Sequence, residues 1–322
     1  VTLFFSICKG ESHHMPNRTK QVAESALLLG ISTVLLFLGT YTFFGELVLM
    51  AIPVSFILLA VQRSGRDMLV VIVVYATLGL LIAGIFGMLV GVGLALVGTV
   101  MGMMYKGRSS ALPAVFGGAG VLFGLILVSL AVATFFMGIN IGAEYDRLAQ
   151  TVTKGTLNLS QRLGISEELI EQQISLSFVL LPSFLVVFSL FFSGVNHWLA
   201  SIVAKRTGHP IPVLKPLREW SFPRSFLIYY FISLLLILIF QSSLMQGYWG
   251  SAILNVRYIL DIAFIIQGLG LCLYVIHAKR WKYLTPVLIV SLFIFPPITN
   301  ILSLLGIFDL GIGLRKRLET RM

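Results

Sequence analysis

Arg257 and Asp261 stand four residues apart inside a long apolar stretch of this 322-residue chain. On a helix that spacing puts both on one face, close enough to pair. Ionisable side chains within a membrane segment are expensive to bury, and they mark binding sites, proton relays or neutralised structural pairs. Asn255 and Gln267 bring further polar groups to the same stretch. The pair has two readings. It is structural, with Arg257 snorkelling towards the nearer, outer end of its helix while it neutralises Asp261, or it is a polar binding or relay site. In another apolar segment, Asn196 and His197 either hydrogen-bond a neighbouring helix or help grip a ligand. Asn300 follows Pro296-Pro297, where carbonyls freed by the break can help line a cavity. Glu24 and Glu46 lie at the ends of apolar runs and are expected to face headgroups.

No catalytic constellation accompanies these residues. The chain has no nucleotide-binding glycine loop followed by Lys-Ser or Lys-Thr, no His-Glu-x-x-His and no Gly-x-Ser-x-Gly elbow. His13, His14, His197, His209 and His277 are scattered, and Cys8 and Cys272 have no metal-ligand spacing. The expectation is a protein that is not an enzyme and holds neither metal nor cofactor.

The elements that must position the pair follow from composition. The chain is 57% hydrophobic and 11% charged, with a mean hydropathy of +0.96, where soluble domains run near a quarter charged. Its net charge of +10 sits in short gaps between apolar runs, which reads as membrane topology and not as nucleic-acid binding. The predicted fold is all-α, a polytopic membrane bundle. Eight spans are expected: Val22 to Leu38, Leu47 to Val61 with a kink at Pro53, Met68 to Gly84, Ile85 to Met104, Ala111 to Met137, Ile174 to Val203, Ser225 to Gln241 and Ala252 to His277. A ninth apolar segment, Tyr283 to Phe308, is broken by Pro296-Pro297.

Residues 1–21 read as a cytoplasmic tail in which Met15 is a plausible alternative start, 204–224 as a basic cytoplasmic loop, and 309–322 as a basic tail. Between spans five and six, Asn140 to Gln173 carries eight charged residues. Ile141, Tyr145, Leu148 and Val152 make its first half an amphipathic helix, and Ser166 before Glu167 and Glu168 reads as the N-cap of a second. This connector either lies on the membrane surface or gates a substrate. With the N-terminus inside, 15 Lys and Arg residues fall on the inner side and 3 on the outer, in keeping with the positive-inside rule. The tail leaves one alternative open: a full ninth crossing puts it outside, whereas a re-entrant hairpin returns it inside.

Twelve of the thirty glycines lie between Gly79 and Gly124. Gly84, Gly87 and Gly91, then Gly98 and Gly102, and Gly120 and Gly124, recur at three- and four-residue spacing. In lipid such spacing makes a smooth groove where another helix backbone can approach closely, so this stretch is expected to be a rigid packing frame. Ala26 and Gly30 form a further small-residue face on the first span.

The short first helix with Ala26-x-x-x-Gly30, the Pro53-bearing second ending in Gln62-Arg63-Ser64-Gly65-Arg66, and the glycine-laced pair ending in Lys106-Gly107-Arg108-Ser109-Ser110 resemble the S components of energy-coupling-factor transporters over Val22 to Val203. Nearly the whole chain is similar to the YybS-type family of bacterial membrane proteins, down to the closing Leu304-Leu305-Gly306-Ile307-Phe308-Asp309 before a basic tail. The resemblance implies a six-helix bundle, residues 22–203, that takes a small molecule from outside. It also implies that Ala26 and Gly30 meet a coupling transmembrane subunit that works with ATPases. The expected function is therefore a multi-pass protein of the bacterial plasma membrane that binds or transports a small molecule through Arg257, Asp261, Asn255 and His197. The alternative is a scaffold that organises a partner protein through its glycine faces and basic loops.

Overall fold

The structure, a computed structural model, describes residues 17–163, 166–240 and 247–319; the tail readings at Met15, His13 and His14 lie outside them. Among the described residues the regular structure is helical throughout. Six helical stretches, with Gly45–Gln62 counted as one, are long and apolar enough to cross a membrane by length and composition, and Ser225–Ile239 and Ile298–Ile312 are shorter apolar helices. Cα packing divides the chain into two units, 1–127 with 189–213 and 128–188 with 214–322.

In the first unit α1 (Asn17–Tyr41) is followed by two short helices, α2 (Gly45–Leu49) and α3 (Ile52–Gln62). Pro53 falls in the first turn of α3, where its missing N–H has no helical partner to lose. The expected kink inside a span is thus a fresh helix start. α4 (Gly65–Tyr105) is a helical hairpin and not one 41-residue rod. Ala83 leaves helical geometry and Gly84 takes φ 64 and ψ −153, a region open essentially to glycine alone. The two arms then lie against each other. A Cβ on Gly79 would stand 2.8 Å from the Gly87 carbonyl oxygen, and one on Gly91 would stand 3.2 Å from the Tyr75 ring. Tyr75 is fully buried and donates its hydroxyl to the Ser32 carbonyl on α1 at 3.1 Å.

The second arm packs on α3 through its glycines. A Cβ on Gly98 would overlap the Pro53 carbonyl, and one on Gly102 would come within 2.6 Å of the Ile57 carbonyl. Around this contact Leu36, Ile52, Phe56, Leu59, Met68 and Ala95 form a sealed core. Ser64 and Asp67 close the entry to α4 with a capping box, which satisfies two backbone N–H groups at a membrane-segment end. α5 (Leu112–Phe135) and α8 (Leu181–Thr207) each contribute to both units. Gly118 on α5 sits against Met101 of α4, whereas Gly120 and Gly124 have nothing within 4 Å of an added Cβ.

The connector forms α6 (Ile141–Leu163) and α7 (Glu167–Val179). Ser166 occupies the N-cap position of α7 but makes no capping hydrogen bond with its side chain. Because α7 runs on to Val179, the following helix begins at Leu181 and not at Ile174.

In the second unit a 3-10 turn (Leu217–Glu219) precedes α9 (Ser225–Phe240), α10 (Tyr248–Ala278), α11 (Leu284–Ile294), α12 (Ile298–Ile312) and α13 (Leu314–Glu319). The backbones of α10 and α12 touch. A Cβ on Gly268 would overlap the Leu302 carbonyl and one on Gly306 the Phe264 carbonyl, so only glycine at both positions permits this crossing. Tyr230 of α9, Leu260, Phe264 and Leu310 pack beside it. After the Pro296-Pro297 break α12 turns back. Arg315, just past its end, bonds the carbonyls of Arg218 and Trp220, and Arg218 stands 3.2 Å from His277 at the end of α10. The tail therefore lies at the end of this unit where α11 sets out.

Candidate functional site

α10 is 31 residues long, about 46 Å at 1.5 Å per residue, and Asp261 sits near its middle. Arg257 Nε lies 3.7 Å from Asp261 Oδ2, and the side chains remain 29% and 34% exposed. This is a loose ion pair, near the outer limit for such contacts. Tyr230, 9% exposed, offers its ring face to the guanidinium at 5.4 Å and is held edge-on against Phe264 at 5.1 Å. A cation, an anion and an aromatic face thus converge halfway along an apolar helix, with both charged groups still open. Charged groups left open on an apolar helix are costly in lipid unless they snorkel to the interface or meet a polar partner.

The other polar residues expected here are taken up elsewhere in the packing. Asn255 donates to the carbonyls of Val179 and Ser251, each at 2.7 Å. Its Oδ1 accepts from Ser183 N at 2.9 Å and from Ser183 Oγ at 2.7 Å. It repairs the chain where α7 gives way to α8, and no donor or acceptor is left for a ligand. Its role is helix joining. Gln267, 1% exposed, accepts from Phe222 N at 3.1 Å and donates to Asp309 Oδ2 at 2.5 Å.

His197 belongs to the first unit. It is 3% exposed, and its Nδ1 stands 2.7 Å from the hydroxyl of Tyr105, in hydrogen-bond contact. Asn196 beside it donates to the Phe192 carbonyl at 3.0 Å. Its Oδ1, like Ser193 Oγ, is buried without a protein hydrogen-bond partner. Ala26 and Gly30 on α1 are exposed, and an added Cβ at Gly30 would meet nothing within 4 Å. No group of three or more His, Cys, Asp or Glu among the described residues is placed to hold a metal ion.

Sequence reasoning passed over the best-buried charge in the second unit. Asp309 is 5% exposed. Arg315 Nε lies 2.9 Å from its Oδ2, at an angle that makes no hydrogen bond, and Arg315 N donates to Oδ1 at 3.3 Å. The guanidinium also donates to the carbonyls of Arg218, Trp220 and Gln267 at 2.8, 2.7 and 3.3 Å. Gly313, left-handed at φ 68 and ψ 49, turns the chain so that Arg315 comes back over Asp309. The signal in the sequence was a lone acid closing an apolar run, Leu304 to Asp309, before the basic tail.

Residues 30–310 match a protein family described as "Predicted membrane protein (DUF2232)", and the chain belongs to that family. It is 26% identical over 311 residues to "Uncharacterized protein YybS" of Bacillus subtilis (strain 168), covering 94% of this chain and 99% of that protein. No solved structure matches it significantly.

Proposed function

We propose that this member of the family binds a small polar solute within the bacterial plasma membrane, as the solute-binding subunit of a transport system, and has no catalytic chemistry of its own. The observation that carries this reading is the ion pair of Arg257 and Asp261, 3.7 Å apart and about one-third open in the middle of α10. A structural ion pair recovers its desolvation cost only with close geometry and further hydrogen bonds to both groups. One left loose and open keeps both charges available to a solute that carries the complementary ones, with Tyr230 as its floor. The basic tail and the basic loop are assigned to the inner side, which makes Tyr283 to Phe308 a re-entrant hairpin. The test is native mass spectrometry of the purified full chain. Wild type should retain a small molecule that D261N and R257Q both lose, with unchanged thermal unfolding. Retention by both variants would overturn the assignment.

A second reading rests on Ala26 and Gly30, whose face is left uncovered by the chain itself. If the protein is a scaffold for a membrane partner, A26L and G30L remove the partner and no small molecule accompanies either form.

A further inference from the structure

Three segments far apart in sequence meet at one end of the second unit. Trp220 Nε1 donates to the Lys215 carbonyl at 2.8 Å, which folds the basic loop on itself. Arg218 of that loop reaches His277 at 3.2 Å, and Arg315 of the tail fastens the same loop through the carbonyls of Arg218 and Trp220. His277 leads directly into Lys279, Arg280 and Lys282, all exposed, as is Lys215. The result is a cationic surface on a fixed backbone. Its local acid is Glu219, 3.8 Å from Arg218, because Asp309 is spent on Arg315.

The level of this surface identifies what meets it. α9 starts at Ser225, α10 ends at Ala278 and α11 starts at Leu284, so the cations stand where three apolar helices begin or end. Trp281, 42% exposed, and Tyr283, 69% exposed, lie among them, and Lys279 Nζ sits 4.9 Å over the Trp281 ring. Exposed Trp and Tyr at helix ends mark the headgroup layer. Basic clusters at that depth attract anionic lipid phosphates, and a guanidinium can hold a phosphodiester with two parallel hydrogen bonds. We infer that Lys215, Arg218, Lys279, Arg280 and Lys282 form a binding surface for the headgroup of an anionic phospholipid. It is independent of the ion pair on α10.

The test uses the full chain in neutral detergent micelles doped with brominated phosphatidylglycerol or brominated phosphatidylcholine, with tryptophan fluorescence as the readout. Phosphatidylglycerol should quench at lower mole fraction than phosphatidylcholine, and W281F should lose most of that difference. K279Q/K282Q should reduce the preference by roughly an order of magnitude. R66Q/R108Q, which removes the same charge from exposed sites of the first unit, should retain it. Inorganic phosphate at matched ionic strength should not compete. Equal quenching by the two lipids, equal losses in the two double variants, or displacement by free phosphate would each overturn the inference.

Discussion

Arg315 Nε lies 2.9 Å from Asp309 Oδ2, with the two side chains 15% and 3% exposed. The pair closes the tail, α10 and the basic loop into one network. Removing one member of a buried pair leaves the other charged and unmatched, typically at a cost of about 3 kcal/mol or more. D309A and R315A are therefore expected to lower thermal stability in detergent strongly. D309N, which keeps an acceptor for Gln267, should be milder. A scanning-fluorimetry series in which D309A melts with wild type would remove the network from the account of stability.

The glycines divide into those with a neighbour and those without. Alanine at Gly306 must displace the Phe264 carbonyl, and overpacking of this kind costs about 1–3 kcal/mol. Alanine at Gly84 is strained whatever space surrounds it, by about 1–3 kcal/mol. Alanine at Gly120 meets nothing within 4 Å. Thermal unfolding should rank G306A and G84A well below G120A, and an equal ranking would contradict the two close backbone arrangements.

Tyr105 and His197 share a buried contact of 2.7 Å. Y105F leaves His197 Nδ1 without its hydrogen-bond partner, a loss of about 1–3 kcal/mol. The double variant Y105F/H197A should then be less destabilised than the sum of the single changes, by about 0.5 kcal/mol or more. Strict additivity in a denaturation cycle would show that the two rings do not act as a pair.

The return of α12 fixes the relation between two exposed sites. Single cysteines at Lys282 and Arg317, in a chain with Cys8 and Cys272 replaced by Ser, should react with an impermeant maleimide from the same side of intact membrane vesicles. Labelling from opposite sides would require a full crossing between them.

Helix existence was legible because apolar runs of membrane length carry their own signal. The hairpin of α4 could be read from the glycine cluster around residue 84, and the paired connector helices from Ile141, Tyr145, Leu148 and Val152. What sequence could not show was which way a polar side chain points once helices pack. Asn255 has the same composition signal as a ligand residue, yet its amide is saturated by Ser183 and by the carbonyls of Val179 and Ser251. Arg315 looked like one of several tail cations, since only the left-handed turn at Gly313 and the α10–α12 crossing bring it to Asp309. Gly268 and Gly306, which allow that crossing, lie outside the dense glycine stretch and were not singled out.

Asp261 and Gln267 are six residues apart on one continuous helix, about 9 Å along its axis. Gln267 is anchored at both ends of its amide, and Asn255, six residues to the other side of Asp261, is tied to Ser183 and to the Val179 carbonyl. The ion pair thus sits on a strut clamped on both sides of it. A solute drawn to Arg257 and Asp261 would be met by rearrangement of side chains within a fixed window, and not by a tilt of the helix.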